Sequence, residues 1–168
     1  MLYVLNYVTA VYVLAAILPA FFLLRYVYRH DTIEKEPPAL LALMLGGGVL
    51  ATFAALILET VGENILGIFF RHPTRLYYII LAFVVVGCVE EGAKLFFLKK
   101  FSWRNPNFNY LFDAVVYAVF VALGFAAFEN IKYVFTYGLS VALTRAVTAV
   151  PGHLSFSVFM GIFYGRAK

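Results

Sequence analysis

The chain has 168 residues, 64% of them hydrophobic and 13% charged, with a mean hydropathy of +0.89. A soluble domain of this length is nearer half apolar and a quarter charged, so composition places the chain in a lipid bilayer. The net charge of +4 comes without a dense Lys/Arg patch interleaved with aromatics, which leaves out nucleic acid as a partner, and the single Cys88 excludes an internal disulfide.

Apolar runs reach about 20 residues and the ten-residue alternation of a membrane barrel is absent, so the spans are helical. The expected fold class is all-α: a polytopic transmembrane helix bundle of about five spanning helices, forming one integral membrane domain over residues 1–168. The first span covers about residues 2–26. Its start lacks a basic region and a small-residue cleavage site, which reads as a retained helix rather than a signal peptide, and Pro19 is expected to kink it. The charged linker from Tyr28 to Pro38 reads as a solvated loop, with Pro37 and Pro38 opening the next helix.

The second span covers about 39–58, with Gly46-Gly47-Gly48 either loosening the helix or letting another helix pack against its backbone. Glu59 and Glu63 follow it as a wetted helix end. The third span, about 76–98, carries Glu90, Glu91 and Lys94 between Gly87 and Gly92, glycines that bare the backbone to a neighbouring helix or a water. A basic loop with Trp103 as interfacial anchor follows. The fourth span, about 110–136, holds Asp113, Glu129 and Asn130. The fifth, about 139–164, holds Arg145, His153 and Ser157 and is expected to break at Pro151-Gly152. Lys and Arg crowd the first and third linkers and the C-terminus, so the positive-inside rule puts the N-terminus outside and the basic linkers in the cytoplasm.

Ionisable groups at membrane depth cost at least about 2.5–3.5 kcal/mol, so those that stand there are candidates for function. Successive helical residues point about 100° apart, so Glu90 and Glu91 are not expected to face one partner directly. Lys94 is spaced to pair with either. Two carboxylates against one lysine leave a negative group over, which needs a proton, a water or another partner. Glu129, Asn130 and His153 supply three more polar groups, and Ser157 lies one turn beyond His153. Asp113 and Arg145 could each neutralise a carboxylate or mark a span end. Such a set could hold a divalent metal such as zinc through Glu90, Glu129 and His153. It could equally activate a water by glutamate acting as general base, with His153 and Asn130 polarising a carbonyl. Cys88 is the weaker candidate nucleophile, because a neighbouring anion raises a thiol pKa. Depth poses one question: at about 1.5 Å per residue, Glu129 lies about 24 Å above Asp113. Either the fourth helix starts in the cytoplasm and tilts, which is the expectation, or Glu129 joins a second cluster with Arg145.

Taken in order, Glu90-Glu91-x-x-Lys94, Phe112-Asp113-Ala114-Val115-Val116-Tyr117, Leu123 to Asn130, and Pro151-Gly152-His153 resemble the PrsW family of intramembrane proteases, related to the CAAX-prenyl endopeptidases. The linker Glu34-Lys35-Glu36-Pro37 and the closing stretch from Gly161 to Lys168 look like family features as well. The resemblance implies an intramembrane endopeptidase in which Glu90 and Glu91 are the catalytic pair and His153 the later essential histidine. Its implied partners are the bilayer and a membrane protein substrate such as an anti-sigma factor. Two positions depart from the wider superfamily: Glu129 stands where histidine is common, and Ser157 where Asn or Asp is. These departures lean towards a glutamate-dependent mechanism with no metal cofactor, a divalent metal such as zinc being the alternative. The resemblance also leaves room for further helices after Lys168. Two rivals are a non-catalytic scaffold of the same superfamily and a proton-coupled transporter; the second usually shows repeated halves, and none occurs here.

Overall fold

The computed structural model describes residues 2–31 and 34–168. Met1, just before the predicted first span, and Thr32 and Ile33 in the predicted solvated linker lie outside the described residues. The described chain is helical throughout: α1 (Leu2–His30), α2 (Pro38–Phe69), α3 (Arg75–Ile80), a π-helical turn (Leu81–Gly87), α4 (Cys88–Ser102), α5 (Leu111–Tyr137), α6 (Ser140–Val147) and α7 (Ala149–Ala167). Four stretches are each long and apolar enough to cross a membrane: Asn6–His30, Pro38–Phe69, Leu111–Tyr137 and Ser140–Ala167. The predicted third span is built in three consecutive pieces, α3, the π turn and α4. The molecule is a helical membrane bundle. Its outward side chains are apolar, with Phe22, Ile57, Ile68, Phe69, Phe83 and Phe163 all more than 60% exposed, as a lipid-facing surface requires.

α5 is the axis. From Val116 to Ala126 nearly every side chain is buried, because α1, α2, α4 and α7 all pack on it. A helix with no polar face is the kind that sits inside a bundle. The approach of α2 to α5 is set by glycine: a Cβ on Gly48 would run into the Val121 carbonyl oxygen, and one on Gly124 into that of Leu45. Small residues at a crossing let two backbones touch, which is how helices associate where lipid removes the hydrophobic drive. Gly92, by contrast, has open space where a Cβ would go, so it admits no neighbouring helix.

Several expected boundaries move. α2 runs eleven residues past Leu58 to Phe69, so Glu59 and Glu63 lie within the helix rather than at a wetted end. Pro19 sits inside an α1 that runs unbroken through it. The break in the fifth span falls at Thr148, not at Pro151-Gly152. Pro151 then occupies the first turn of α7, where its missing N–H would have had no intrahelical acceptor. Gly152 N–H donates to the Thr148 carbonyl at 3.0 Å and closes that turn.

The linker after α1 is also not simply solvated. Asp31 and Glu36 are buried against the start of α5, where Tyr117 Oη donates to Glu36, while Asn109 Nδ2 donates to Glu34 at 3.2 Å. Lys35 donates to the Tyr28 and Asp31 carbonyls and closes the end of α1. Burial pushes the Glu36 carboxyl up to about 7, against the opposing pull of the Tyr117 hydrogen bond, and burial also raises Asp31. Asp113 caps α5: its Oδ2 accepts the backbone N–H groups of Asn109 at 2.9 Å and Tyr110 at 2.7 Å. Its role is therefore to mark a span end.

Candidate active site

The first turn of α4 presents Glu90 and Glu91, and Lys94 follows one turn later. The π turn ending at Gly87 precedes them directly; wide turns of this kind are frequent at functional sites. Lys94 is 1% exposed, and its ammonium lies 2.7 Å from Glu91 Oε1, 3.3 Å from Glu90 Oε2 and 2.9 Å from His153 Nδ1. It also stands 4.0 Å from the centre of the Phe125 ring. The two glutamates therefore do share a partner, contrary to the 100° argument. Each flexible side chain reaches inward to a cation spaced three or four residues on.

His153 projects from the second turn of α7. An ammonium only donates, so Nδ1 accepts from Lys94 and the ring proton sits on Nε2, which donates to Glu129 Oε2 at 3.2 Å. Glu129 also receives Arg145 Nη2 from α6. Arg145 is fixed in turn: Nε donates to Asn130 Oδ1 at 2.6 Å, and the guanidinium lies 4.0 Å from the centre of the Tyr133 ring. Asn130 Nδ2 donates to the Ala16 carbonyl at 3.3 Å, tying this relay to α1. The either–or about depth dissolves, since Glu129 contacts both His153 and Arg145. The kink at Thr148 carries Arg145 and His153 to the same carboxylate from two helical segments.

Other expected contributors fall elsewhere. Ser157 Oγ donates to the Leu154 carbonyl of its own helix at 2.7 Å, and Asp113 is occupied at the far end of α5. Asn130 holds Arg145 rather than reaching His153. One residue was missed. Glu59 lines a cavity of about 90 Å³ behind Glu90 and Glu129, together with Lys132 and Tyr133. The sequence did carry a signal: Gly48, Thr52, Ala55 and Glu59 are spaced 4, 3 and 4, the period of one buried face.

In front of the carboxylates lies a larger cleft of about 570 Å³, walled on one side by Phe83, Gly87 and Cys88 and on the other by Ala149, Gly152 and Phe156. Glu90, Glu91, Glu129, Arg145 and His153 all face it. Phe83 and Phe156 at its rim are more than 60% exposed, so it opens on the lipid-facing surface. The same seam between the third span and α7 continues into a second cavity of about 420 Å³, lined by Leu95, Lys99, Trp103, Met160 and Phe163. The seam is pinned by the Lys94–His153 contact and by Ser102 Oγ and Tyr164 Oη, 2.9 Å apart.

Among the described residues one group could hold a metal ion: Glu90, Glu91 and His153 offer ligand atoms all within 4.8 Å of one another. Two carboxylate oxygens and an imidazole nitrogen suit zinc. The set differs from the expected one, with Glu91 in place of Glu129, because Glu129 is engaged by Arg145 and by the other face of the imidazole.

The model of the family described as "PrsW family intramembrane metalloprotease" matches residues 36–168. The chain is 34% identical over 156 residues to Protease PrsW of Geobacillus kaustophilus, covering 92% of this chain and 65% of that protein. It is 33% identical over 162 residues to Protease PrsW of Clostridioides difficile, at 92% and 65% coverage, and 31% identical over 156 residues to Protease PrsW of Bacillus subtilis, at 92% and 67%. It thus spans about two thirds of the length of these relatives. No solved structure matches it. The match of the family model over most of the chain, together with these relatives, shows that the chain belongs to the PrsW family.

Proposed function

We propose that this chain carries the hydrolytic centre of an intramembrane endopeptidase that cuts membrane-bound proteins, with Glu90 activating the water. The observation that carries this reading is the cluster itself: three carboxylates, a histidine and an arginine line one cleft that opens on the apolar surface, and the buried Lys94 ammonium is held by two of those carboxylates and the histidine. Polar groups gathered at such a cost, around a space large enough for a polypeptide strand, fit chemistry better than packing. The matching relatives carry the name Protease PrsW, which favours the same reading.

The division of labour follows from the contacts. Glu91 is the more tightly paired with Lys94, at 2.7 Å. Glu90 is held more loosely, at 3.3 Å, and lines both the cleft and the rear cavity, which makes it the better placed of the two to take a proton from water. Glu90 takes a proton from water as the water oxygen adds to the scissile carbonyl carbon, and returns it to the nitrogen as the C–N bond breaks. Lys94, itself outside the cleft lining, fixes Glu90, Glu91 and His153 and lends that wall positive charge as the oxyanion develops, while Glu129 holds His153 in place. The Arg145–Asn130 relay holds Glu129 and acts through it. Were a divalent ion bound, Glu90, Glu91 and His153 would hold it, and it would supply Lewis-acid polarisation of the water.

The substrate reaches the cluster sideways from the bilayer, along the seam between the third span and α7, and its transmembrane segment is the part that is cut. Regulatory membrane proteins such as anti-sigma factors are the class that the resemblance implies. The excess of Lys and Arg in the first and third linkers and the C-terminus supports a cytoplasmic position for them, with the N-terminus outside. The test is cleavage of a single-span membrane protein by the purified full-length protein in proteoliposomes, with and without a strong chelator. Cutting within the bilayer that survives chelation is the expected result. No cleavage would refute the proteolytic reading, and loss to the chelator with recovery on adding zinc would refute the metal-free form of it.

A further inference from the structure

The three residues that could ligate a metal are the same three that hold the Lys94 ammonium, which they do through Glu90 Oε2, Glu91 Oε1 and His153 Nδ1. We propose that Lys94 is the built-in cation of this site, and that a divalent metal enters only by displacing it. The family to which the chain belongs is described as metalloproteases, and the residues that could hold such an ion already hold the ammonium.

The geometry excludes both at once. A zinc ion needs about 2.0–2.2 Å to each oxygen and nitrogen, so the three side chains would have to turn their donor atoms from the ammonium to the ion. His153 has no spare donor atom to offer from elsewhere on its ring, because Nε2 carries the proton given to Glu129. The Lys94 stem rises from α4 one turn beyond the glutamates and is itself 1% exposed, packed against Phe125. Leaving its position therefore means leaving the ring face as well. What makes exchange feasible is charge. Three carboxylates, Glu90, Glu91 and Glu129, stand against two permanent cations, Lys94 and Arg145, so the cluster retains a negative charge that attracts a divalent ion. This inference rests on the placement of the donors and not on turnover, so it survives or fails separately from the proteolytic reading.

The experiment is metal binding by the full-length protein in detergent or nanodiscs, using Co²⁺ and Zn²⁺ titrated against a competing chelator. Lys94→Met removes the cation and keeps the stem. It should bind one ion per chain at least about tenfold more tightly than the wild type, and adding Glu91→Gln should abolish the gain. Lys94→Arg keeps a cation in the cluster and should show no gain. Equal or weaker binding by folded Lys94→Met would overturn the proposal. Should Lys94→Met prove too unstable to purify without metal, Co²⁺ must raise its melting temperature by more than that of the wild type, since a ligand stabilises the state it binds. Failure of Co²⁺ to do so would equally overturn it.

Discussion

At the residue scale, the cluster is a chain of dependencies: Asn130 holds Arg145, Arg145 holds Glu129, Glu129 holds His153, and Lys94 ties His153 to Glu90 and Glu91. Removing one member of a buried pair leaves a charge without a partner, at a cost of about 3–5 kcal/mol. Arg145→Gln should therefore lower the melting temperature clearly, and adding Glu129→Gln should restore a large part of it. Thermal unfolding of the two single variants and the double variant measures this, and strict additivity would contradict the coupling. Glu90, Glu91 and His153 were legible in the sequence because ionisable side chains in apolar runs are too costly to be incidental. Asp113 met the same criterion, and Ser157 stood out for lying one turn beyond His153, yet both serve their own helices. Residue type and depth do not reveal whether a polar group spends its hydrogen bonds locally.

At the element scale, packing is set by where backbones touch. Gly124→Ala would drive a methyl group into the Leu45 carbonyl and should cost about 1–3 kcal/mol, while Gly92→Ala meets nothing and should be nearly neutral. Comparing their melting temperatures separates a crossing glycine from an incidental one. The linker between α1 and α2 should make stability depend on pH. Glu36 has an ordinary value of 4.5 and is pushed up to about 7, so the folded state holds a proton that the unfolded state releases between those values. Its contribution is fully present below about pH 4.5 and is lost as pH rises through about 7, by about 3 kcal/mol in all. Asp31 acts in the same sense, and Glu34 and Asp113 add to the repulsion. Melting temperature should fall between pH 5 and 8, and Glu36→Gln should flatten that slope; an unchanged slope would show that Glu36 is not its source. The charge run in this linker read as solvated because sequence does not show that Tyr117, some eighty positions later, reaches back to it. The kink at Thr148 was hidden likewise, since Pro151 marks the first turn of a helix as well as it marks a break.

At the scale of the whole molecule, all-α architecture followed from apolar run length, whereas α5 as the axis did not, because α1 and α2 are equally apolar and only packing sets α5 apart. The seam between the third span and α7 did not, because it is made by two helices that both pack on α5 while leaving space between themselves. Cys88, the sole cysteine, is exposed on that cleft. A bulky maleimide on Cys88 should block cleavage of a membrane substrate, whereas Cys88→Ala should cut normally. Full activity after complete labelling would place the substrate path elsewhere. The most direct measurement of the central assignment is single-turnover cleavage of a membrane substrate by Glu90→Gln and Glu91→Gln in the same proteoliposomes. Glu90 as the base predicts a loss of about 10²–10⁴-fold in the chemical step for Glu90→Gln and a smaller one for Glu91→Gln. Cleavage by Glu90→Gln at the wild-type rate would contradict it.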